Sequence, residues 1–177
     1  MAHPPARRIE LGCGKSPTPG YVHHDRWKHD PWVDLTFDLE DVPWPIETAS
    51  CEAILALDVF EHLRCEVQQW LDECWRILTP DGTLEMRLPA WDHSQGYGYR
   101  DITHHRVFHQ ESFWYFCPNA SGSLWRDFGQ YYWGARTDHW WWFESVEVDH
   151  GDYRYKLRKR LYTSEELEIV ACGKKLS

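Results

Sequence analysis

Along the first half of the chain, short apolar runs alternate with clusters of turn residues, the spacing expected of strands joined by loops. Arg8 to Leu11, Tyr21 to His24 and Val33 to Phe37 read as three strands. Ala53 to Leu57 is an unbroken apolar run ending at Asp58, as suits a strand covered on both faces. Thr83 to Leu88 is the fifth, stopped by Pro89. Between the last two, Val67, Trp70, Leu71, Cys74, Ile77 and Leu78 recur at helical spacing and predict a crossover helix, which Thr79-Pro80-Asp81-Gly82 ends as a turn. The pattern is that of an α/β fold with a mostly parallel sheet and flanking helices. The link from Gly12 to Gly20 carries Pro17 and Pro19 and is too short for an ordinary helix, so the first helix is missing or reduced to a turn. Strand patterns return in Phe143 to Val148 and Tyr153 to Leu157, joined through Asp149-His150-Gly151-Asp152 as an antiparallel C-terminal hairpin. Leu167 to Cys172 adds a further strand.

From Ala90 to Trp142 the periodicity fades and rings crowd together, among them Trp91, Tyr99, Phe108, Phe113, Trp125, Tyr131, Tyr132 and Trp140 to Trp142. We read this stretch as an insertion forming one wall of a ligand cleft, with burial in the core as the competing reading for its rings. The 177 residues are expected to form one domain: residues 7–89 a cofactor-binding half, 90–142 the aromatic acceptor-side insertion and 143–177 the C-terminal strands. Twelve Trp in a chain of mean hydropathy −0.65 means that many rings share their surroundings with polar groups.

A formal charge of −9 makes nucleic acid an improbable partner, because that binding draws on Lys and Arg neutralising phosphates. The basic run Arg154 to Arg160 alternates, so its charges fall on one strand face, solvated or touching a polyanion. Six cysteines form no Cys-x-x-Cys pair and read as free thiols in a reducing compartment. Met1 to Arg8 has no apolar segment, and nowhere do 18 apolar residues run together. A cytoplasmic location without membrane contact is expected, with a small molecule as partner; oligomeric state is not legible.

Glu10-Leu11-Gly12-Cys13-Gly14-Lys15 follows the first strand, and its glycines let the backbone turn tightly beside a ligand. A dinucleotide fingerprint would have a third Gly where Pro17 stands, and a helix N-terminus for pyrophosphate. An adenosine ligand without phosphates needs neither, which favours S-adenosylmethionine over nicotinamide cofactors. Asp25, at the end of the second strand, is suited to accept from ribose hydroxyls. Asp38 is suited to accept from an adenine amino group, while Leu39 offers a backbone N–H and an apolar surface. Asp58 ends the fourth strand, where it either faces the ligand or caps the next helix.

Several further segments carry a resemblance. Gly20 to Asp25, Asp38 to Pro45, Asp58-Val59-Phe60-Glu61-His62-Leu63 and Cys74 to Gly82 resemble, in order, segments of the class I methyltransferases. The likeness is to small bacterial and phage-type proteins with a Leu-Gly-Cys-Gly-Lys loop and a shortened first helix. Asp101-Ile102-Thr103-His104-His105-Arg106 is similar to that group's Asp-Pro-Thr-His-x-Arg segment, with Ile102 in place of Pro. The resemblance implies a Rossmann-like fold, S-adenosylmethionine as cofactor, and contacts to it from Gly12, Gly14, Asp25, Asp38 and Leu39. Glu10, Cys13 and Asp58 complete the candidate cofactor set.

Methyl transfer is an in-line displacement from a sulfonium, so such a protein chiefly aligns the acceptor and removes a proton where needed. Of His93, His104, His105 and His109, His104 matches the Thr-His position and is the candidate base, against the plainer reading of a histidine bonded to a loop carbonyl. His104, His105, His109 and Glu111 lack a diagnostic ligand spacing, and no metal is expected. Methyl transfer to a small acceptor, aromatic or glycosidic, is the leading expectation. A non-catalytic or partner-regulated binder of the same cofactor is the alternative.

Overall fold

The computed structural model describes residues 7–92, 97–120 and 139–166. The expected strand at Leu167 to Cys172, His93 and the rings from Trp125 to Trp133 lie outside them. Strands β1 (Arg7–Leu11), β2 (Val22–Asp25), β3 (Leu35–Thr36), β4 (Cys51–Leu57), β5 (Leu78–Pro89), β6 (Trp141–Asp149) and β7 (Asp152–Lys159) form one sheet in the order β3-β2-β1-β4-β5-β7-β6. The first five run parallel and β7 and β6 are antiparallel, which is the Rossmann-like plan with the C-terminal hairpin that the sequence predicts. Parallel pairing sends the C-terminal ends of β1 to β5 to one edge, where their following loops meet.

Helix α1 (Val67–Ile77) is the expected crossover; Trp70, Leu71, Cys74 and Ile77 on one side are buried. Trp70 stacks on Phe60 at 4.4 Å and meets Trp44 edge-on at 6.5 Å. Phe108 and Phe113 continue this layer, and Tyr155 closes it from β7. Truncating a ring as enclosed as Trp70 costs about 3–5 kcal/mol. Phe108, Phe113 and Trp141 are therefore core, not cleft wall, whereas Trp91 and Tyr99 stay exposed. The rings that the sequence assigns to one insertion thus divide between two environments.

Two boundaries differ from the sequence pattern. Only Leu35 and Thr36 of the third run form a strand, because β3 is an edge with a partner on one side, and Val33 N–H donates to Asp30 O at the preceding turn. Thr79 to Gly82 does turn, with Asp81 at φ 62°, yet it does so within β5: Cys51 faces Leu78 and Ala53 faces Thr83, so the extra residues bulge out between two paired positions. The basic run alternates as expected, Arg154, Lys156 and Arg158 pairing with Glu85, Asp149 and Glu144 on the outer face. Lys159 is the exception. It is buried, and its ammonium donates to Trp75 O at 2.8 Å and Leu78 O at 2.6 Å, capping the end of α1 with a cation. Burial lowers its pKa to about 8.

The loop after β3 is tied to α1 through an acid–base pair. Glu73 accepts from Trp44 N–H at 2.6 Å and from Arg76, while Arg76 donates to Ile46 O at 2.8 Å and Trp44 O at 3.1 Å. Trp44 Nε1–H closes the loop on Leu39 O at 3.2 Å. A lysine cannot serve several acceptors in this planar arrangement. Arg76→Lys is expected to lower stability by about 2 kcal/mol, read as a shift in the denaturant midpoint; an unchanged midpoint would show that the clamp carries no net energy.

Candidate active site

The loop after β1 is shaped by side chains that take the place of a helix. Gly12 and Gly14 sit at φ 68° and 54°, in the left-handed region that favours glycine. A Cβ at Gly12 would lie 2.5 Å from Val59 Cγ2, so the loop packs directly on the segment after β4. A Cβ at Gly14 would meet nothing within 4 Å: its backbone borders open space, as a ligand cradle requires. Asp25 accepts from Gly14 N–H at 2.9 Å and from Arg26 N–H at 2.7 Å, with His29 Nε2 at 3.4 Å. Burial pushes the Asp25 pKa up, but these hydrogen bonds outweigh it and hold the carboxyl below its ordinary range.

Glu10 is buried and turns inward, accepting from Thr18 N–H at 2.8 Å, Thr18 Oγ1 at 2.7 Å and contacting His23 Nδ1 at 3.0 Å. It braces the far side of the loop. Cys13 is buried as well, its N–H donating to His24 O at 2.9 Å; burial first, then Asp25 and Glu10, raise its thiol to about 11. Its part in any ligand contact is therefore through the backbone.

His24 joins the glycine loop to the next strand in a way that the strand pattern hides. Its Nδ1 faces Gly12 N–H at 3.4 Å and its Nε2 faces Phe37 O at 3.0 Å. A carbonyl only accepts, so Nε2 carries the proton and Nδ1 the lone pair. The imidazole thus joins the glycine loop to the end of β3 in its neutral form, and burial lowers its pKa below 6.5. Sign follows from direction: the contribution is complete above 6.5, the unfolded value, and is lost as pH falls below it through the folded value. Melting temperature should fall more from pH 7.5 to 5 in the wild type than in His24→Gln, whose amide replaces both bonds without titrating; equal falls would remove His24 from the acid response.

Asp38 pairs with Arg26 at 2.6 Å and accepts from Glu40 N–H at 3.0 Å, and Leu39 is buried beside it. Asp58 has φ 54°, a conformation costing a non-glycine residue about 1–2 kcal/mol. It caps no helix, for the following turn has no side-chain cap; its carboxylate accepts from two nitrogens of Arg87, Nε and Nη2. All of these groups lie at the C-terminal edge of the parallel strands.

Next to Asp58 opens a cavity of about 830 Å³, lined mainly by Glu61, His62, Arg100, Asp101, His104 and Asp152. Glu61 and His62 lie on a single 3-10 turn (Phe60–His62), directly after β4. His104 arrives from a distant loop stapled to that turn: His105 N–H donates to Glu61 O at 2.7 Å, and Arg106 donates to Leu63 O and Cys65 O, both at 2.8 Å. The Arg106 guanidinium lies over the Phe60 ring at 4.5 Å. One donor atom from each of Glu61, His62 and His104 falls within 4.8 Å of the others. Burial above all, with repulsion from Asp58 and Asp152, raises Glu61 to about 8, against its own backbone N–H and Arg87.

The four residues grouped by sequence as a possible ligand set do not meet in this way. His105 Nε2 accepts from Arg64 at 3.1 Å, and His109 Nδ1 accepts from Glu111 N–H at 3.3 Å. Only tertiary folding brings Glu61 and His62 to His104; that the first two share one motif segment and His104 lies in another is the signal the sequence offers.

Residues 11–86 match the family described as methyltransferase domain. Solved structures share the fold over most of the chain. A type 11 methyltransferase of Sulfolobus solfataricus is 16% identical with a TM-score of 0.57, covering 90% of this chain and 86% of its own. An S-adenosylmethionine-dependent methyltransferase of Thermotoga maritima is 14% identical with a TM-score of 0.56, covering 89% and 84%. One from Archaeoglobus fulgidus is 15% identical with a TM-score of 0.54, covering 88% and 87%. A search of curated protein sequences gave no match. No helix among the described residues is long and apolar enough to cross a membrane. Residues 11–86 thus match the methyltransferase-domain family, and the sheet around them has the fold of these S-adenosylmethionine-dependent methyltransferases.

Proposed function

We propose that the chain methylates a small, hydroxyl-rich acceptor of glycosidic type, held in the cavity beside Asp58. The observation that carries this reading is the lining: Glu61, His62, Arg100, Asp101, His104 and Asp152 outnumber the apolar Pro89 and Ile102. An acceptor with many hydroxyls satisfies such groups, whereas a bare aromatic ring would leave them unpaired. The net charge of −9 also disfavours a phosphate-rich acceptor.

In this reading Gly12, Gly14 and Leu39 present backbone to the cofactor, and Asp25 offers its remaining lone pairs to the ribose. Asp38 faces the adenine, while Glu10 and Cys13 shape the loop and Asp58 borders the methyl end. The open space at Gly14 and the ionised state of Asp25 support this assignment. The bound cofactor supplies an activated methyl group on a sulfonium. His104 holds its Nδ1 on Gly98 O at 3.2 Å, which leaves Nε2 able to take a hydroxyl proton from the acceptor.

The test is a panel of mono- and disaccharides, phenols and amines with labelled cofactor, scored by mass. Methylation of sugars with no turnover of phenols is expected. Turnover of phenols alone would overturn the glycosidic acceptor, and cofactor binding without turnover of any class would favour the non-catalytic reading.

A further inference from the structure

We propose that Glu61, His62 and His104 form a binding site for one divalent transition-metal ion in the acceptor cavity. The site lies within the cavity assigned to the acceptor, but ion binding stands or falls without any acceptor present.

Hydrogen bonding fixes which nitrogen each imidazole presents. Asp101 Oδ1 accepts from Thr103 N–H at 2.8 Å and from the Thr103 hydroxyl as well. The Thr103 hydroxyl therefore spends its one proton on Asp101 Oδ1, at 2.6 Å. Toward His62 Nδ1, at 3.0 Å, the same oxygen has only a lone pair to offer. His62 must carry its proton on Nδ1. At His104 the partner of Nδ1 is the Gly98 carbonyl, at 3.2 Å, with the same outcome. Both neutral rings are thereby locked with an unprotonated Nε2, and among the described residues neither Nε2 makes a hydrogen bond. His104 Nε2 lies 3.9 Å from Asp101 Oδ2, beyond hydrogen-bond reach. Metal-binding histidines are held in this way, the outer nitrogen donating to a carbonyl or hydroxyl while the inner one keeps its lone pair.

Glu61 supplies an independent observation. It is buried at 1% relative exposure, it lines the cavity, and its Oε2 has no hydrogen-bond partner among the described residues. A buried oxygen without a partner costs about 1–3 kcal/mol, a cost that coordination of a cation would remove. Two imidazoles and one carboxylate suit Zn²⁺, Co²⁺, Fe²⁺ or Mn²⁺ and leave coordination positions open toward the cavity. An acceptor hydroxyl would occupy one of them. The ion and the acceptor proton compete for the His104 lone pair, so in the loaded protein His104 acts through the metal and the hydroxyl proton leaves to solvent.

Metal-free full-length protein titrated with Co²⁺ and with Zn²⁺, followed by calorimetry and visible absorption, tests this. Expected are one ion per chain, ligand-field bands without sulfur-to-cobalt charge transfer, and binding weakened roughly 100-fold in each of Glu61→Gln, His62→Gln and His104→Gln. His105→Gln and His109→Gln should bind like the wild type. Cofactor affinity and melting temperature, measured on every variant, separate lost ligands from lost fold. No stoichiometric uptake, unchanged affinity in all three ligand variants, or a thiolate charge-transfer band would overturn the site. Any of these would leave methyl transfer by the metal-free protein standing, and uptake without sugar methylation would overturn the acceptor reading alone.

Discussion

Gly12→Ala is expected to destabilise the protein by about 2–5 kcal/mol and to reduce cofactor affinity more than 100-fold. Two costs combine. The left-handed φ of 68° disfavours any residue with a Cβ, and that Cβ would stand 2.5 Å from Val59 Cγ2. Val59 follows Asp58, so relief by movement of Val59 would shift the strand end that borders the cavity. Val59→Ala alone should be mild, and in the double variant it should recover the part of the loss that comes from overlap while leaving the part that comes from φ. Denaturant midpoints and calorimetry on the four proteins give both parts. A Gly12→Ala protein with wild-type midpoint and affinity would mean that the loop does not rest on Val59.

Asp25→Ala should weaken cofactor binding about 10- to 100-fold, the equivalent of one or two hydrogen bonds to a charged acceptor. The carboxylate orders the loop from inside, through Gly14 N–H at 2.9 Å, and its ionised state fits a second task toward the ribose. Asp25→Asn separates the tasks: an amide oxygen still accepts from Gly14, but the charge is gone. If Asn binds like Asp, ordering of the loop is the whole effect. If Ala also binds like Asp, the ribose assignment to β2 is wrong.

Features set by local backbone demand were readable without coordinates. The glycines of the first loop, the unbroken apolar run of β4 and the helical recurrence from Val67 to Ile77 each answer to their own segment. The hairpin around Gly151 does too. Features set by a meeting of distant segments were not. Val33 to Phe37 has the composition of a longer strand, but an edge position with one partner pairs only Leu35 and Thr36. Phe108 and Phe113 look like cleft residues until Phe60 and Tyr155 arrive from either side. Glu61 and His104 come to line one cavity only because Arg106 and His105 N–H dock one loop on another. For Glu10 and His24 the strand pattern is silent about partners, since a buried acid and a buried histidine need their hydrogen bonds identified before their roles can be assigned.

Arg106 also bears on how such a site can change over generations. It joins the two halves of the cavity through the carbonyl oxygens of Leu63 and Cys65, groups that every amino acid possesses. Substitutions at those two positions leave the acceptors in place, so the joint tolerates drift on one side and almost none on the other. The spacing between Glu61 and His104 is thus inherited through one guanidinium and one main-chain bond, from His105 N–H to Glu61 O, while the residues the guanidinium grips are free to adapt the cavity rim to a new acceptor.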